Sequence, residues 1–448
     1  MKIKIIFFAF LFFFATRIVS SQNPQLWGMA HSGGNDTGGT IFKINGDGTG
    51  FKNYHHFNNG ALPYGNLFQA SDGNFYGMTQ SGYGFNSSKG ILFGFNPNDS
   101  SFSELIELNY HPSGSLIQAT DGKLWGMGDS IFNYDISANN YASQSNCDWG
   151  NSLIQATDGK LYGMNESGGI NNEGVIFSYD PIGGVYTDLF DFDTVNGRRP
   201  NGNLMQAANG KLYGMTQYGG MHTVGVIFDY DISTNVFTKL YDFNYNDGRG
   251  PWGSLIQLSN GKLYGLTPLG GANLGGVLFS FDPLTNIYSV LFNFNDFSSP
   301  QGSLMHASNG KLYGMTWASN GYEGAIFSFD TSGNICTNIF NFDFINGAYP
   351  YGDLIEMDSS LINTVNHIVD SKNSVIIYPN PAENTFIINL KTEVRNARVE
   401  IFNSLGEKVY STAMIGKQQT IYNTFHSGIY FVKVSEGEKH FIEKLIVQ

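Results

Sequence analysis

Residues 158–164 read DGKLYGM, and near copies of these seven letters recur along the chain. Six further copies, some exact in five or six letters and one reduced to LWGM, stand at 209–215, 260–266, 309–315, 72–78, 121–127 and 26–29. The glycine that follows the aromatic residue returns at intervals of 49, 49, 37, 51, 51 and 49 residues. A catalytic motif normally occurs once, so a motif with seven copies indicates a repeat architecture.

A complete unit, residues 200–244, contains four short β-rich segments, NLMQA, KLYGMT, GVIFDYD and VFTKLYDF. Asn-Gly or Asp-Gly joins the first two segments, which favours a type I′ hairpin because both turn positions need positive φ. Four strands in each unit, at a period near 50 residues, are typical of a β-propeller blade.

The ends of the repeat region predict how the ring closes. The first unit lacks its opening strand, whereas a lone opening strand, PYGDLIEM, stands at 350–357. Seven opening strands therefore match seven YGM-type strands only if residues 353–357 complete the first blade. Such closure leaves no free sheet edge. The predicted fold is all-β, with a seven-bladed β-propeller over residues 22–357.

Glycines inside the second strand of each unit predict close packing at that point. They stand at 77, 126, 163, 214, 265 and 314, and the Tyr or Trp before each should fill the space between blades. Asp180, Asp231, Asp282 and Asp330 recur at one offset, which predicts a turn cap after the third strand rather than a catalytic role.

The N-terminal 21 residues have the pattern of a secretory signal peptide. Lys2 and Lys4 precede an apolar stretch over 5–15, and small residues stand before a predicted cleavage site at Gln22. No cysteine follows, and no other apolar run approaches 18 residues, so we expect a mature chain without a transmembrane segment.

Composition and charge narrow the function. The chain has 56 Gly, 15% aromatic and 14% charged residues, which argues against disorder. Its net charge of −13 argues against nucleic-acid binding, because an acidic protein repels phosphate groups. Residues 22–357 hold 28 Asp and Glu against 12 Lys and Arg, so the ring could bind Ca²⁺, although no calcium-loop motif is present. No other metal or cofactor is predicted.

Motifs for nucleophilic, zinc or phosphate chemistry do not occur, but a pair of distant glycosidase carboxylates would leave no spacing signal. Cys147 and Cys336 lie in non-adjacent repeats, which predicts unpaired thiols.

Loops at one end of a propeller are the expected place for a binding site. The links between blades carry the bulky residues that vary from unit to unit, and His222 and Tyr218 lie in loops with a Gly pair. The candidate ligand-binding residues are Tyr64, Trp149, Trp252, Tyr351, Arg198, Arg199, Arg249 and His222. Flat aromatic rings beside polar groups suit sugars or protein partners, and the alternative is packing against neighbouring loops.

The pattern P-x-G-x-L-I-Q-A-x-D/N-G-K-L-Y-G-M-T resembles the Gloeo/Verruco repeat of bacterial secreted proteins over about 22–357. A Gly pair after the second strand also resembles kelch repeats. The resemblance implies a propeller and no known reaction.

Beyond a polar linker at 358–374, residues 375–448 stop repeating and alternate as in a small β-sandwich. This tail resembles a type IX secretion system type A sorting domain. The residues that carry the resemblance are Tyr378, Pro379, Asn380, Pro381, Gly406, Gly428, Tyr430 and Lys444. It implies a Bacteroidota-type cell, transport through the type IX machinery, and release or display at the outer-membrane surface.

The sequence therefore predicts an exported or cell-surface propeller that acts as a noncatalytic binding module for carbohydrate or protein. Two alternatives stay open: a propeller-based polysaccharide lyase or glycoside hydrolase, and a purely structural surface protein.

Overall fold

The protein is described by a computed structural model in which the chain divides into two compact units, residues 1–358 and 359–448. The structure describes residues 23–58, 61–81, 89–108, 112, 114–128, 130–146, 150–295, 298–319, 321–358, 375–378, 382, 385–403, 408–422, 425, 428–436 and 439–447. None of these residues belongs to a helix with the length and hydropathy that crossing a membrane requires.

Seven antiparallel sheets make up the first unit, each built on four main strands that follow chain order in every blade except blade 1. Counted outward from the axis, the strands are Ile355–Glu356, Gln25–Ala30, Thr40–Asn45 and Lys52–His56 in blade 1, and Phe68–Gln69, Phe75–Thr79, Ile91–Phe95 and Phe102–Glu107 in blade 2. They are Ile117–Gln118, Leu124–Met127, Ser130–Asp135 and Asn140–Asn146 in blade 3; Gly150–Gln155, Leu161–Asn165, Val175–Asp180 and Val185–Asp191 in blade 4; and Met205–Gln206, Leu212–Tyr218, Val226–Asp231 and Val236–Asp242 in blade 5. The last two blades have Ile256–Gln257, Leu263–Thr267, Val277–Asp282 and Ile287–Asn293 in blade 6, and Met305–His306, Leu312–Thr316, Ala325–Asp330 and Ile335–Asn341 in blade 7. Blade 5 also carries a short strand, Arg198–Pro200, beside its second strand.

Blade 1 combines the two ends of the repeat region, as the strand count predicts. Ile355 pairs with Trp27, and Glu356 pairs with Leu26. Leu26 and Phe42 of this blade share a hydrophobic cluster with Tyr313 and Met315 of blade 7. The last blade therefore packs against the first, and the seven sheets form a closed ring.

Each pair of neighbouring blades has its own hydrophobic core, so seven such clusters surround the axis. The Tyr of the repeated motif contributes to them, since Tyr213 of blade 5 packs with Leu255 and Phe279 of blade 6. Its hydroxyl also bonds the turn residue four positions earlier, as in Asn209–Tyr213 at 2.9 Å. The motif thus links a hairpin turn to the packing between blades.

The strand glycine makes room for a phenylalanine ring of the same blade. A Cβ on Gly214 would lie 2.5 Å from Cζ of Phe228, the residue paired with it on the third strand. The same 2.5–2.7 Å approach recurs in all seven blades. The group that lies close to this glycine is therefore a side chain. The register shift in the strand pairing of the blade lies between its third and fourth strands instead.

In blades 2 to 7 the hairpin between the first and second strands differs from the predicted type I′ turn. Gly73 has φ +83°, but Asp72 is not among the residues with positive φ. Gly73 N–H donates to Ala70 O at 2.9 Å, and Ala70 N–H donates to Asn74 O at 3.0 Å. This is a three-residue loop in which only the glycine is left-handed.

Two rings of hydrogen bonds join the inner strands of successive blades. At the start of the strand, a backbone N–H donates to the side-chain oxygen of the equivalent residue in the next blade. These bonds run from Asn66 to Ser115, Ser115 to Ser152, Asn203 to Ser254, Ser254 to Ser303, Ser303 to Asp353 and Asp353 to Asn66. At the end of the strand the glutamine of the motif accepts such a bond, as Gln118 does from Ser71 N–H at 2.8 Å.

The turn after the third strand is capped as predicted. Oδ1 of Asp180 accepts the backbone N–H of Ile182 at 2.9 Å, and Oδ1 of Asp231 accepts that of Ser233 at 2.9 Å. Asp282 and Asp330 make the same bond in their blades. These four carboxylates therefore have a structural role.

In the second unit the strands Val375–Tyr378, Thr385–Asn403, Lys408–Tyr422, Gly428–Glu436 and Lys439–Val447 form one five-stranded sheet. The predicted sandwich of two sheets is corrected, because the 19-residue strand Thr385–Asn403 bonds to three neighbours and joins both halves. Ala382 N–H donates to Ile446 O at 2.7 Å, which draws the sheet edges together. The enclosed core includes Phe386, Val399 and Val432.

Of the residues behind the sorting-domain resemblance, Tyr378, Gly428 and Tyr430 lie on strands of this sheet. Lys444 lies on its last strand. Pro379, Asn380, Pro381 and Gly406 lie outside the described residues.

Candidate functional site

The inter-blade links are held by a repeated left-handed residue before the proline of P-x-G. This residue has φ between +45° and +61° at Leu62, Arg199, Gly250, Ser299 and Tyr349. Its N–H reaches the loop between the second and third strands of the preceding blade, as Gly250 N–H does to Val224 O at 2.8 Å. The conformation is strained for the four non-glycine residues, and its recurrence at one offset shows that the five links share one backbone path.

A concave cavity of about 820 Å³ opens where the links meet the loops of blades 5, 6 and 7. This size is within the range of small-molecule sites. Trp252 and Gln301 come from successive links, Tyr218 ends the second strand of blade 5, and Leu269 and Trp317 come from the loops of blades 6 and 7. Its described lining is Arg198, Gln217, Tyr218, Thr223, Val224, Tyr245, Arg249, Gly250, Trp252, Pro268, Leu269, Leu274, Gly275, Ser299, Gln301, Trp317 and Ala318.

Large apolar side chains of this lining are exposed to solvent. Tyr245 is 54% exposed and Leu274 is 63% exposed, while Tyr218 and Leu269 are exposed to a smaller extent. Trp252 and Trp317 are half-buried. Contiguous exposed apolar surface with a polar rim is typical of an interaction site.

Two arginines occupy equivalent positions in successive links, each two residues before the proline. Arg198 pairs with Tyr218 in the sheet of blade 5, and Arg249 forms the corresponding bridge with Leu269 in blade 6. The guanidinium of Arg198 lies 5.6 Å from the ring centre of Tyr218. That of Arg249 lies 5.1 Å from the ring centre of Tyr245. The strand register places Arg198 over its pairing partner Tyr218, whereas Arg249 lies over Tyr245 of its own link.

The two arginines differ in charge compensation. Nη1 of Arg198 lies 3.5 Å from Oε1 of Glu173, whereas Arg249 has no carboxylate partner among the described residues. The nearest acid along the chain, Asp247, accepts hydrogen bonds from Tyr241 and from Asn244. In the described part of the chain, no carboxylate therefore compensates the positive charge that Arg249 brings to the cavity.

Gln301 adds an unused hydrogen-bond acceptor. Its Nε2 donates to Ser299 Oγ at 3.4 Å, but its Oε1 is buried without a partner among the described residues. A buried polar atom without a hydrogen bond is costly, so a ligand hydroxyl at this point would be stabilising.

Tyr64 and Tyr351 lie beside this cavity at the axial opening, which Trp252 and Gln301 also line. Their rings stack with centres 4.7 Å apart, and His31 packs on Tyr351 at 5.0 Å. Burial raises the pKa of Tyr64 to about 12 and lowers that of His31 to about 4. Both groups are therefore neutral at physiological pH.

The structure distributes the predicted site residues over several places. It brings Trp252, Arg198 and Arg249 together in the cavity, with Tyr64 and Tyr351 at the adjoining opening. Arg199 and His222 are exposed and do not contribute to the described cavity lining. Trp149 lies outside the described residues.

Most of the lining was not in the predicted set, including Trp317, Tyr245 and Gln301. Trp317 follows the second strand of blade 7, and other blades have His31, Glu166, Gln217 or Pro268 at this position. The signal was this variation among otherwise similar repeats.

The described part of the chain has no cluster of three His, Cys, Asp or Glu side chains suited to hold a metal ion. Cys336 is a free, half-buried thiol, and burial raises its pKa to about 12. Its possible partner Cys147 lies outside the described residues.

The family model of the Gloeobacter/Verrucomicrobia repeat matches residues 14–143, 130–323 and 244–431. No curated protein matches the chain in sequence.

Two solved structures with TM-scores above 0.5 share the fold at low identity. The periplasmic gluconolactonase PpgL of Pseudomonas aeruginosa is 13% identical, over 74% of this chain and 99% of that one, with a TM-score of 0.51. A quinonprotein alcohol dehydrogenase-like protein of Bacteroides thetaiotaomicron is 12% identical, over 75% and 79%, with a TM-score of 0.53. PorZ, a surface component of the type IX secretion system of Porphyromonas gingivalis, is 13% identical over 92% of this chain, with a TM-score of 0.44. The chain spans 63% of the length of PorZ.

Proposed function

Because the chain belongs to the Gloeobacter/Verrucomicrobia repeat family, which by itself implies no reaction, we propose its function from the cavity: the propeller is a noncatalytic carbohydrate-binding module. One observation carries the proposal. The cavity combines the indole rings of Trp252 and Trp317 with the amides of Gln217 and Gln301. Aromatic faces pack against the apolar faces of sugar rings, and amides bond their hydroxyls.

The chemistry of the lining favours binding over catalysis. A glycoside hydrolase normally places a pair of carboxylic acids at the reacting bond. Among the described lining residues, none is Asp, Glu, His or Cys. Its concave shape also favours a small ligand, because protein partners need about 800 Å² of surface on each side.

The test is a glycan array with the full mature chain, together with polysaccharide turnover on the same panel. We expect binding without turnover. Trp252→Ala should weaken binding at least tenfold with little change in the melting midpoint. Tyr322→Ala is the control, because this tyrosine is 49% exposed on the loop of blade 7 but is not part of the described lining. Turnover would support the enzyme alternative instead.

For the second unit, we propose the role of a type IX sorting domain that directs the propeller to the cell surface or the medium. The support is the sequence resemblance around Tyr378 and Gly428, together with a self-contained core in residues 375–447. The test is expression in a Bacteroidota host with and without a working type IX translocon. Deletion of residues 439–448 should leave the protein in the periplasm. Surface delivery in the translocon-deficient host would contradict this role.

A further inference from the structure

The charge of the cavity is opposite to that of the propeller around it. Residues 22–357 carry more than twice as many acidic as basic side chains. Among the described residues of the cavity lining, the only charged side chains are Arg198 and Arg249. A cationic cavity in an acidic protein attracts anions selectively, because the surrounding surface repels them elsewhere.

Arg249 is the stronger of the two anion-binding candidates. Glu173 partly compensates Arg198, whereas Asp247, the acid closest to Arg249 in sequence, is held by Tyr241 and Asn244. The guanidinium lies 5.1 Å from the ring centre of Tyr245, within cation–π distance. A guanidinium in this state suits a carboxylate, which it can bind through two parallel hydrogen bonds.

Resting on the proposed carbohydrate-binding function, we infer that the ligand is an acidic oligosaccharide, in which a uronate carboxylate binds Arg249 while a sugar ring packs on the wall formed by Trp252 and Trp317. The free Oε1 of Gln301 accepts a sugar hydroxyl in this arrangement. One class of molecule thereby meets three features of the described lining: a cation without a carboxylate partner there, an acceptor without a hydrogen bond there, and half-buried indole rings.

An acidic peptide would also satisfy Arg249. Its backbone N–H groups can donate to Oε1 of Gln301, but it offers no flat ring edged by hydroxyls to pack on Trp252 and Trp317. A peptide ligand is therefore kept as an outcome of the test.

The experiment measures binding of the full mature chain to trisaccharides of galacturonate, mannuronate and guluronate by calorimetry. Each trisaccharide is compared with its carboxyl-reduced form, which keeps the ring and loses the charge. We expect at least tenfold tighter binding of one acidic form than of its reduced form, and weaker binding at higher salt.

Arg249→Gln should lower the affinity for the acidic trisaccharide 10- to 100-fold and change that for the reduced form by less than threefold. Arg249→Lys should recover only part of the loss, because lysine cannot form the paired hydrogen bonds. Arg199→Gln is the matched control, since Arg199 is exposed and lies outside the described cavity lining. It should leave both affinities unchanged.

The outcomes separate the inference from the function on which it rests. Equal binding of acidic and reduced forms would overturn the acidic ligand and keep carbohydrate binding. Binding of a glutamate-rich peptide, with none of the sugars bound, would overturn both. An acidic preference that survives Arg249→Gln would overturn the assignment of Arg249.

Discussion

The carboxylate of Asp353 accepts a hydrogen bond from the side-chain amide of Asn66 at 2.6 Å, although 287 residues separate the two in the chain. Asp353 also accepts the backbone N–H of Ser303, and its own N–H donates to Asn66 Oδ1 at 2.6 Å. It thus joins blade 7, blade 1 and blade 2 at the axis. Burial raises the pKa of this carboxyl, and the described residues at equivalent positions of the ring are neutral Ser or Asn.

The first prediction concerns this closure. Asp353→Ala leaves the amide of Asn66 and the N–H of Ser303 without partners, so we expect a loss of about 2–5 kcal/mol in the free energy of unfolding. Ser254→Ala is the matched control, because it removes a single acceptor of the same ring, that for Asn203 N–H. Its cost should be about 1–3 kcal/mol. Urea unfolding of both variants measures the difference.

Deletion of residues 353–357 should destabilise the propeller further than either substitution, since it removes the inner strand of blade 1 and reopens the ring. An unchanged melting midpoint after this deletion would contradict the closure that Ile355 and Trp27 make.

Sequence alone predicted the number of blades and the closure, because both depend on counting local hairpin signals. It could not give the turn type, because Asn-Gly and Asp-Gly occur in both two- and three-residue loops. The backbone pairing around Asn209 and Lys211 decides between the two loops, and this pairing is visible only in the folded hairpin. Nor could it give the partner of Gln118, which lies in the preceding blade at Ser71. The recurrence of glutamine was visible, but its contact depends on how blades pack.

The packing of blades also explains why only some residues of the site were predicted from the sequence. Trp252 and Arg249 stood out because they vary within otherwise similar links. Trp317 did not, because its loop joins Trp252 only when three blades come together. In the second unit, the alternation of apolar and polar residues suggested separate strands. It did not show that Thr385–Asn403 is one strand that continues through an irregular middle stretch.

The second prediction tests why the strand glycine is required. Gly214→Ala places a Cβ 2.5 Å from Phe228 Cζ and 3.0 Å from Leu204 Cδ2 in a closely packed core. We expect a loss of about 1–3 kcal/mol in unfolding free energy from this overpacking. Gly94→Ala is the control, because its Cβ would meet Tyr76 at an ordinary 3.4 Å. If the two variants lost equal stability, the space for the phenylalanine ring would not be the reason for glycine.

The third prediction concerns a histidine in an aromatic stack between blades. His55 of blade 1 lies parallel to Phe102 of blade 2, with ring centres 3.8 Å apart. Other neighbouring blades place two aromatic residues in such a stack, as in Phe190–Phe237 at 3.8 Å. Burial, with a smaller contribution from His56, lowers the pKa of His55 to about 4 from its usual 6.5.

The sign of the pH effect follows from this lowered pKa. Between pH 6.5 and 4 the unfolded chain binds a proton at His55 that the folded chain does not bind, so stability is present above pH 6.5 and falls as the pH drops toward 4. His55→Phe removes this proton and restores a purely apolar stack. We therefore expect the variant to take up about one proton fewer on unfolding near pH 5 and to melt above the wild type there. His222→Gln, at an exposed loop position, serves as the control and should follow the wild-type curve. Parallel curves of melting midpoint against pH for wild type and His55→Phe would show that His55 titrates alike in the folded and unfolded chain, contrary to its burial against Phe102.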